Sequence, residues 1–234
     1  MGKMESVTIL VIGLLFFVFN LRAQNKDNNI MMNLSHDKTK LSGKEIVSEL
    51  SKLDFFNLTD KSDLKTTKAE FEKSYNELSF FEGVMKEDLI FTDNRFYFID
   101  SETLFEGGGL IQYLETVKLS FNKLNLKLVF SDEYSNQTEK HWKHTVKLNG
   151  KEYVAFDNDF GKNEWGISYL NFIEMLNSEL KIQNSKEQFY PISSGNDGKM
   201  VLLTEKQFEF VQANYPNNND HPKKISDWKN EYGL

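Results

Sequence analysis

His141 and His144, three residues apart, and the carboxylates Asp157, Asp159 and Glu164 downstream are the residue types best suited to acid–base or metal chemistry in this chain. Imidazole exchanges protons near neutral pH, and paired carboxylates can divide acid and base roles across a cleft. A secreted or periplasmic hydrolase would therefore assemble its site from His141, His144, Asp157, Asp159 and Glu164. The spacing speaks against that assembly. The histidines enter a strand-like run, and on a strand residues three apart point to opposite faces. No Gly-x-Ser-x-Gly occurs. Ser-x-x-Lys recurs at Ser35, Ser62, Ser120, Ser178 and Ser226, as expected by chance in a lysine-rich chain, without its companion elements. No catalytic residue is assigned, and the hydrolase stands as the alternative reading.

Metal and nucleotide motifs fail on the same test. Asp157-Asn-Asp159-Phe-Gly161-Lys-Asn163 resembles the start of a calcium loop, but the sixth position is Lys162 where Gly is needed, and the twelfth is Ser168 where Glu is needed. Zinc would need further ligands, and cysteine is absent. Gly107-Gly108-Gly109 opens a helical run and could offer backbone N–H groups to an anion. Neither nucleotide fingerprint surrounds it, and Glu106 would repel a phosphate. These glycines remain a loop candidate beside the plainer reading of a turn that lets elements pack closely. No metal and no cofactor are expected.

Aromatic residues offer a different chemistry. Most of the 20 phenylalanines fall on apolar stripes and belong to a core. Trp142, Trp165 and Trp228 fall at element edges or near the C-terminal end, where tryptophan can anchor a partner.

The elements that must position these residues follow from periodicity. Ile46, Leu50, Leu53 and Phe56 predict a helix over 44–56, with Ser42 as its cap. A second helix is expected over 63–81, a strand at 95–100, a helix from Leu110 to Leu124 and a strand at 126–130. His144 to Phe156 alternates about Asn149-Gly150, the strongest short-range hairpin signal. A long helix over 164–182, strands at 188–193 and 200–204 about Gly195 to Gly198, and a helix over 205–213 capped by Thr204 complete the set. The order predicts an α+β domain: a mostly antiparallel sheet built from hairpins and packed by three to five helices. Gly109-Leu-Ile-Gln-Tyr-Leu and Gly166-Ile-Ser-Tyr-Leu also hint at a duplication, without a true repeat period.

Before that domain, Lys3, an unbroken apolar run from Val7 to Phe19 and Leu21-Arg22-Ala23 predict a cleaved signal peptide over 1–23. The run is shorter than the roughly 20 residues a membrane span requires. Residues 24–43 read as a polar leader and 44–215 as one domain, helical over 44–92 and mixed over 93–215. Residues 216–234 read as a tail that docks through Trp228. The signal peptide carries Lys3, Arg22 and Glu5, a net +1, so its removal takes the formal charge from −7 to −8. With Arg95 the one arginine beyond it, the acidic domain is a poor fit to nucleic-acid backbones. The sequence thus predicts an exported, periplasmic or extracellular interaction domain, without membrane association after cleavage. Its partner is expected to be another protein, of basic character, in the manner of an inhibitor or immunity-type pair.

Overall fold

The structure, a computed structural model, describes residues 40–75, 84–86, 90–105, 109–215 and 221–234. The expected signal peptide, nearly all of the polar leader, the last part of the second predicted helix, and Gly107 and Gly108 lie outside the described residues. Leu41–Leu234 forms one compact unit. No helix among the described residues is long and apolar enough to cross a membrane.

The chain begins with α1 (Gly43–Lys52), a 3-10 turn (Phe55–Leu58) and α2 (Leu64–Ser74). Ser42 caps α1 through a reciprocal capping box with Glu45. The helix stops earlier than its apolar stripe suggests because Asp54 takes a left-handed backbone, φ 56°. That kink turns Phe55 and Phe56 edge-on to Phe71 of α2, with centroids 5.2 and 5.4 Å away.

Then come β1 (Phe96–Phe98), α3 (Ser101–Phe105) and α4 (Gly109–Lys123), followed by β2 (Phe130–Gln137), β3 (His141–Leu148) and β4 (Lys151–Asp159). The chain closes with α5 (Glu164–Ile182), β5 (Glu187–Ser193), β6 (Lys199–Thr204), α6 (Glu205–Asn214) and α7 (Ile225–Tyr232). The fold is α+β, with two small antiparallel sheets ordered β1-β6-β5 and β2-β3-β4. Seven α-helices occur among the described residues, more than the expected three to five. The additional ones are short: α3, and α7 within the expected tail.

The sheet β1-β6-β5 is buried on both faces, and its alternation divides the core. Tyr97, Phe189, Met200 and Leu202 join α4 and α5 on one side. Phe96, Tyr190, Val201 and Leu203 join α1, α2 and α6 on the other. The 19-residue α5 packs against β5 on one flank and β4 on the other, so the second sheet forms a further layer. Each aromatic or aliphatic side chain removed from water at these positions contributes about 1.5–3 kcal/mol.

Arg95 ties the helical layer to the sheet. Fully buried, it donates Nε to the Phe55 carbonyl at 2.6 Å, Nη1 to the Leu202 carbonyl at 3.0 Å and Nη2 to Asn57 Oδ1 at 2.6 Å. Asp93 Oδ1 accepts the backbone N–H groups of Arg95 and Phe96 at 2.7 and 2.9 Å.

The strand expected at 126–130 starts only at Phe130 and runs to Gln137. Side chains satisfy the preceding backbone instead: Lys127 N donates to Gln183 Oε1 at 2.8 Å and Val129 N to Asn149 Oδ1 at 3.0 Å. Strand β2 is exposed almost throughout and polar, so it shows no apolar alternation.

Candidate functional site

The Asn149-Gly150 turn, with both residues at positive φ, sets the register of β3 on β4 and so places the residues of the expected site. Residues His141 and Asp159 pair directly, as do Lys143 and Asp157. On this outer face the His141 imidazole lies between two carboxylates: Nδ1 is 2.9 Å from Asp159 Oδ1 and Nε2 is 2.9 Å from Asp157 Oδ1. Lys143 Nζ stands 3.6 Å from the other Asp157 oxygen. The hydrogen bond to Asp159, then that to Asp157, hold the His141 pKa above the ordinary imidazole value. With both ring nitrogens engaged, His141 has no free lone pair with which to take a proton from a substrate.

His144 points the other way, into the core, as the strand geometry requires. Its Nε2 is 2.8 Å from Glu133 Oε1, and its ring stacks on Trp142 at a centroid distance of 4.9 Å. Trp142 in turn donates Nε1 to Ser135 Oγ at 2.8 Å and meets Phe105 edge-on. Glu164 is used locally: its carboxylate accepts the Gly161 N–H at 2.6 Å, closing the loop before α5. Asn163, which flanks the start of α5, makes no side-chain capping bond. Of the five residues in the alternative catalytic set, the structure thus gathers His141, Asp157 and Asp159, turns His144 inward and ties Glu164 to its own loop. No group of three or more metal-competent side chains in binding geometry occurs among the described residues.

Gly109 opens α4, and a Cβ there would sit 1.9 Å from the Thr103 carbonyl. This glycine is required for the close approach of α3 and α4. Gly107 and Gly108 lie outside the described residues.

The three tryptophans separate. Trp142 and Trp228, expected as surface anchors, are 4 % and 0 % exposed and belong to the core. Trp165 is 39 % exposed, and beside it Tyr232 and Leu234 are 43 % and 37 % exposed. With Lys162, Asn163 and Ser194 these three line a hollow of about 400 Å³ at the start of α5. Its wall is backed by the core, since Tyr232 stacks on buried Trp228 at 4.0 Å and 16°. Gly166 leaves room for the approach: a Cβ there would meet Leu234 Cδ1 at 3.3 Å.

A second hollow, of about 320 Å³, opens at the other end of α7. The sequence reading missed it. Its floor is Tyr190 stacked on Phe208, with centroids 4.3 Å apart and planes 8° from parallel. Glu205 and Glu209, one turn apart on α6, line it with Lys224 and Ile225. Burial raises the Tyr190 pKa; the Gln188 hydrogen bond lowers it, and Glu205 and Glu209 raise it further, so both carboxylates act on that hydroxyl. The available signal was Glu-x-x-x-Glu on the first turns of a helix, an arrangement that repels itself.

No known family pattern matches the chain, and no curated protein or solved structure shows significant similarity to it.

Proposed function

We propose that this is an exported protein-binding domain of the inhibitor or immunity type, whose basic partner docks across α7. The observation that carries the reading is the exposed cluster Trp165, Tyr232 and Leu234 around the first hollow. Large apolar side chains grouped at a concave site suit an apolar anchor from a partner. Backing by Trp228 keeps the wall fixed, so little conformational entropy is lost on docking. The net charge of −7 favours approach by a basic surface. A hydrolase would need a free general base, whereas both nitrogens of His141 are engaged. Capture of partners from the native source with wild-type protein and Trp165→Ala tests the reading. A specific partner lost or weakened about tenfold or more by Trp165→Ala supports it. Turnover of a peptide, ester or glycan by the purified domain, or a partner indifferent to Trp165→Ala, overturns it.

A further inference from the structure

We infer that the hollow between α6 and the start of α7 is a subsite for an arginine or lysine side chain of the partner; this rests on the protein-binding reading and assigns the partner's chemistry at a second position. Three features converge there. The hollow of about 320 Å³ lies at the low end of the range for binding pockets and has room for one extended side chain. Its floor is a stacked aromatic pair, Tyr190 on Phe208, apolar enough to cover the methylene stem of a basic residue. At its mouth stand two carboxylates with no ion pair or hydrogen bond among the described residues, Glu205 and Glu209.

Local stability does not account for that pair. Glu205, at the first position of α6, suits the helix dipole. Glu209, four residues on, faces Glu205 with like charge, a spacing that disfavours a helix. Gln207, not either glutamate, completes the capping box with Thr204. The nearby cations do not neutralise the pair. Lys52, Lys186 and Lys206 line an adjoining hollow that Glu205 also borders, and Lys224 lies at the rim of this one, yet none of the four makes an ion-pair contact to either carboxylate. A guanidinium between Glu205 and Glu209 would satisfy both with charge-assisted hydrogen bonds, and the Tyr190 hydroxyl beneath could accept another.

The two hollows lie at opposite ends of α7, whose eight residues span about 12 Å. The backbone bond from Lys223 N to the Pro191 carbonyl, 2.8 Å, fixes the start of α7 to β5. One partner segment could therefore place an apolar residue in the first hollow and a basic residue in the second.

The test uses a blocked Gly-Arg-Gly peptide titrated into the isotopically labelled full domain, followed by backbone amide shifts. Its counterpart carries citrulline, which keeps the shape and loses the charge. The expected result is saturable shifts centred on Glu205, Phe208 and Glu209, absent with citrulline. Glu205→Gln with Glu209→Gln should weaken binding about tenfold or more. The charge-matched control Glu139→Gln with Glu152→Gln should leave it unchanged, and Lys224→Gln should strengthen it. Equal shifts with citrulline, shifts spread over the acidic surface, or indifference to the Glu205/Glu209 change would overturn the assignment. If the peptide binds here while the native partner ignores Trp165→Ala, the reading of the first hollow fails and this one stands.

Discussion

The side-chain amide of Asn149 donates to the Glu179 carboxylate of α5 at 2.6 Å, joining a hairpin turn to the central helix. Glu179 is almost fully buried, and Tyr153 donates to its other oxygen at 2.5 Å. Asn149 also donates to the Lys127 carbonyl at 3.0 Å and accepts the Val129 N–H at 3.0 Å. The turn that gives the sheet its register is thereby locked to the core.

Asn149→Ala removes these bonds, leaves a buried carboxylate short of a donor and strains a left-handed backbone. The expected loss in urea unfolding is about 3 kcal/mol. Asn149→Gly relieves the backbone alone and should fall between alanine and wild type. Asn149→Asp sets a second carboxylate against Glu179, and its deficit should shrink as pH falls and the pair takes up a proton. Equal stability across the series would show that the turn is held by its backbone alone.

Asp93 gives a second pH effect. Burial pushes its carboxyl up to about 6, against the opposing pull of the Phe96 and Arg95 backbone N–H groups. One oxygen, Oδ2, has no hydrogen-bond partner among the described residues. A carboxyl raised on folding contributes stability that is present below its unfolded pKa of about 4 and is lost as pH rises through the folded value. Between pH 4 and pH 7 this group alone should lower stability by on the order of 2–3 kcal/mol. Asp93→Asn keeps an oxygen for the two N–H groups and removes the titration. Denaturant midpoints measured at both pH values should show wild type losing stability relative to this variant as pH rises; parallel profiles would count against the raised value.

His141 titrates with the same sign from a different cause. Its pKa is raised by the hydrogen bonds to Asp159 and Asp157. The stabilisation is complete below the ordinary imidazole pKa and is lost as pH rises through the raised folded value. The site is open to water, so the effect should be local: a ring titration displaced upward, with the β3–β4 end loosening as it deprotonates. Asp157→Asn with Asp159→Asn should bring the titration back toward the ordinary value. An imidazole that titrates alike in both proteins would refute the clamp.

The sequence carried more of the fold than of the site. Asn149-Gly150 showed the hairpin, and Ser42 and Thr204 marked helix starts, because turns and caps depend on residues a few positions apart. Strand β2 was hidden because an exposed edge strand needs no apolar alternation. The opposite faces of His141 and His144 followed from strand geometry, but the carboxylates around His141 required the β3–β4 register. Burial of Trp142 and Trp228 was illegible for a related reason. Both lie beside polar neighbours in the chain, and what covers them comes from elsewhere: Phe105 over Trp142, and Tyr169 beside Trp228. The Glu205 and Glu209 hollow closes only when β5 and α7 meet α6.

The tryptophans give the most direct test of that division. Trp142 and Trp228 fill the core, with Trp142 between Phe105 and His144 and Trp228 between Tyr169 and Tyr232. Truncating either to alanine opens a cavity that neighbouring rings cannot refill, and each should cost about 3–5 kcal/mol. Trp228→Ala should also loosen Tyr232 and so weaken the first hollow indirectly. Trp165 already exposes over a third of its surface, so Trp165→Ala should cost about 1 kcal/mol or less in unfolding. Partner affinity should rank differently, with Trp165→Ala losing about 2 kcal/mol of binding. Trp142→Ala, buried beside β3, should bind normally once folded. Denaturation and binding measured on the same three variants separate the two roles. A Trp165→Ala protein that unfolds as readily as the other two would place this residue in the core with them, and would leave the first hollow without its anchor.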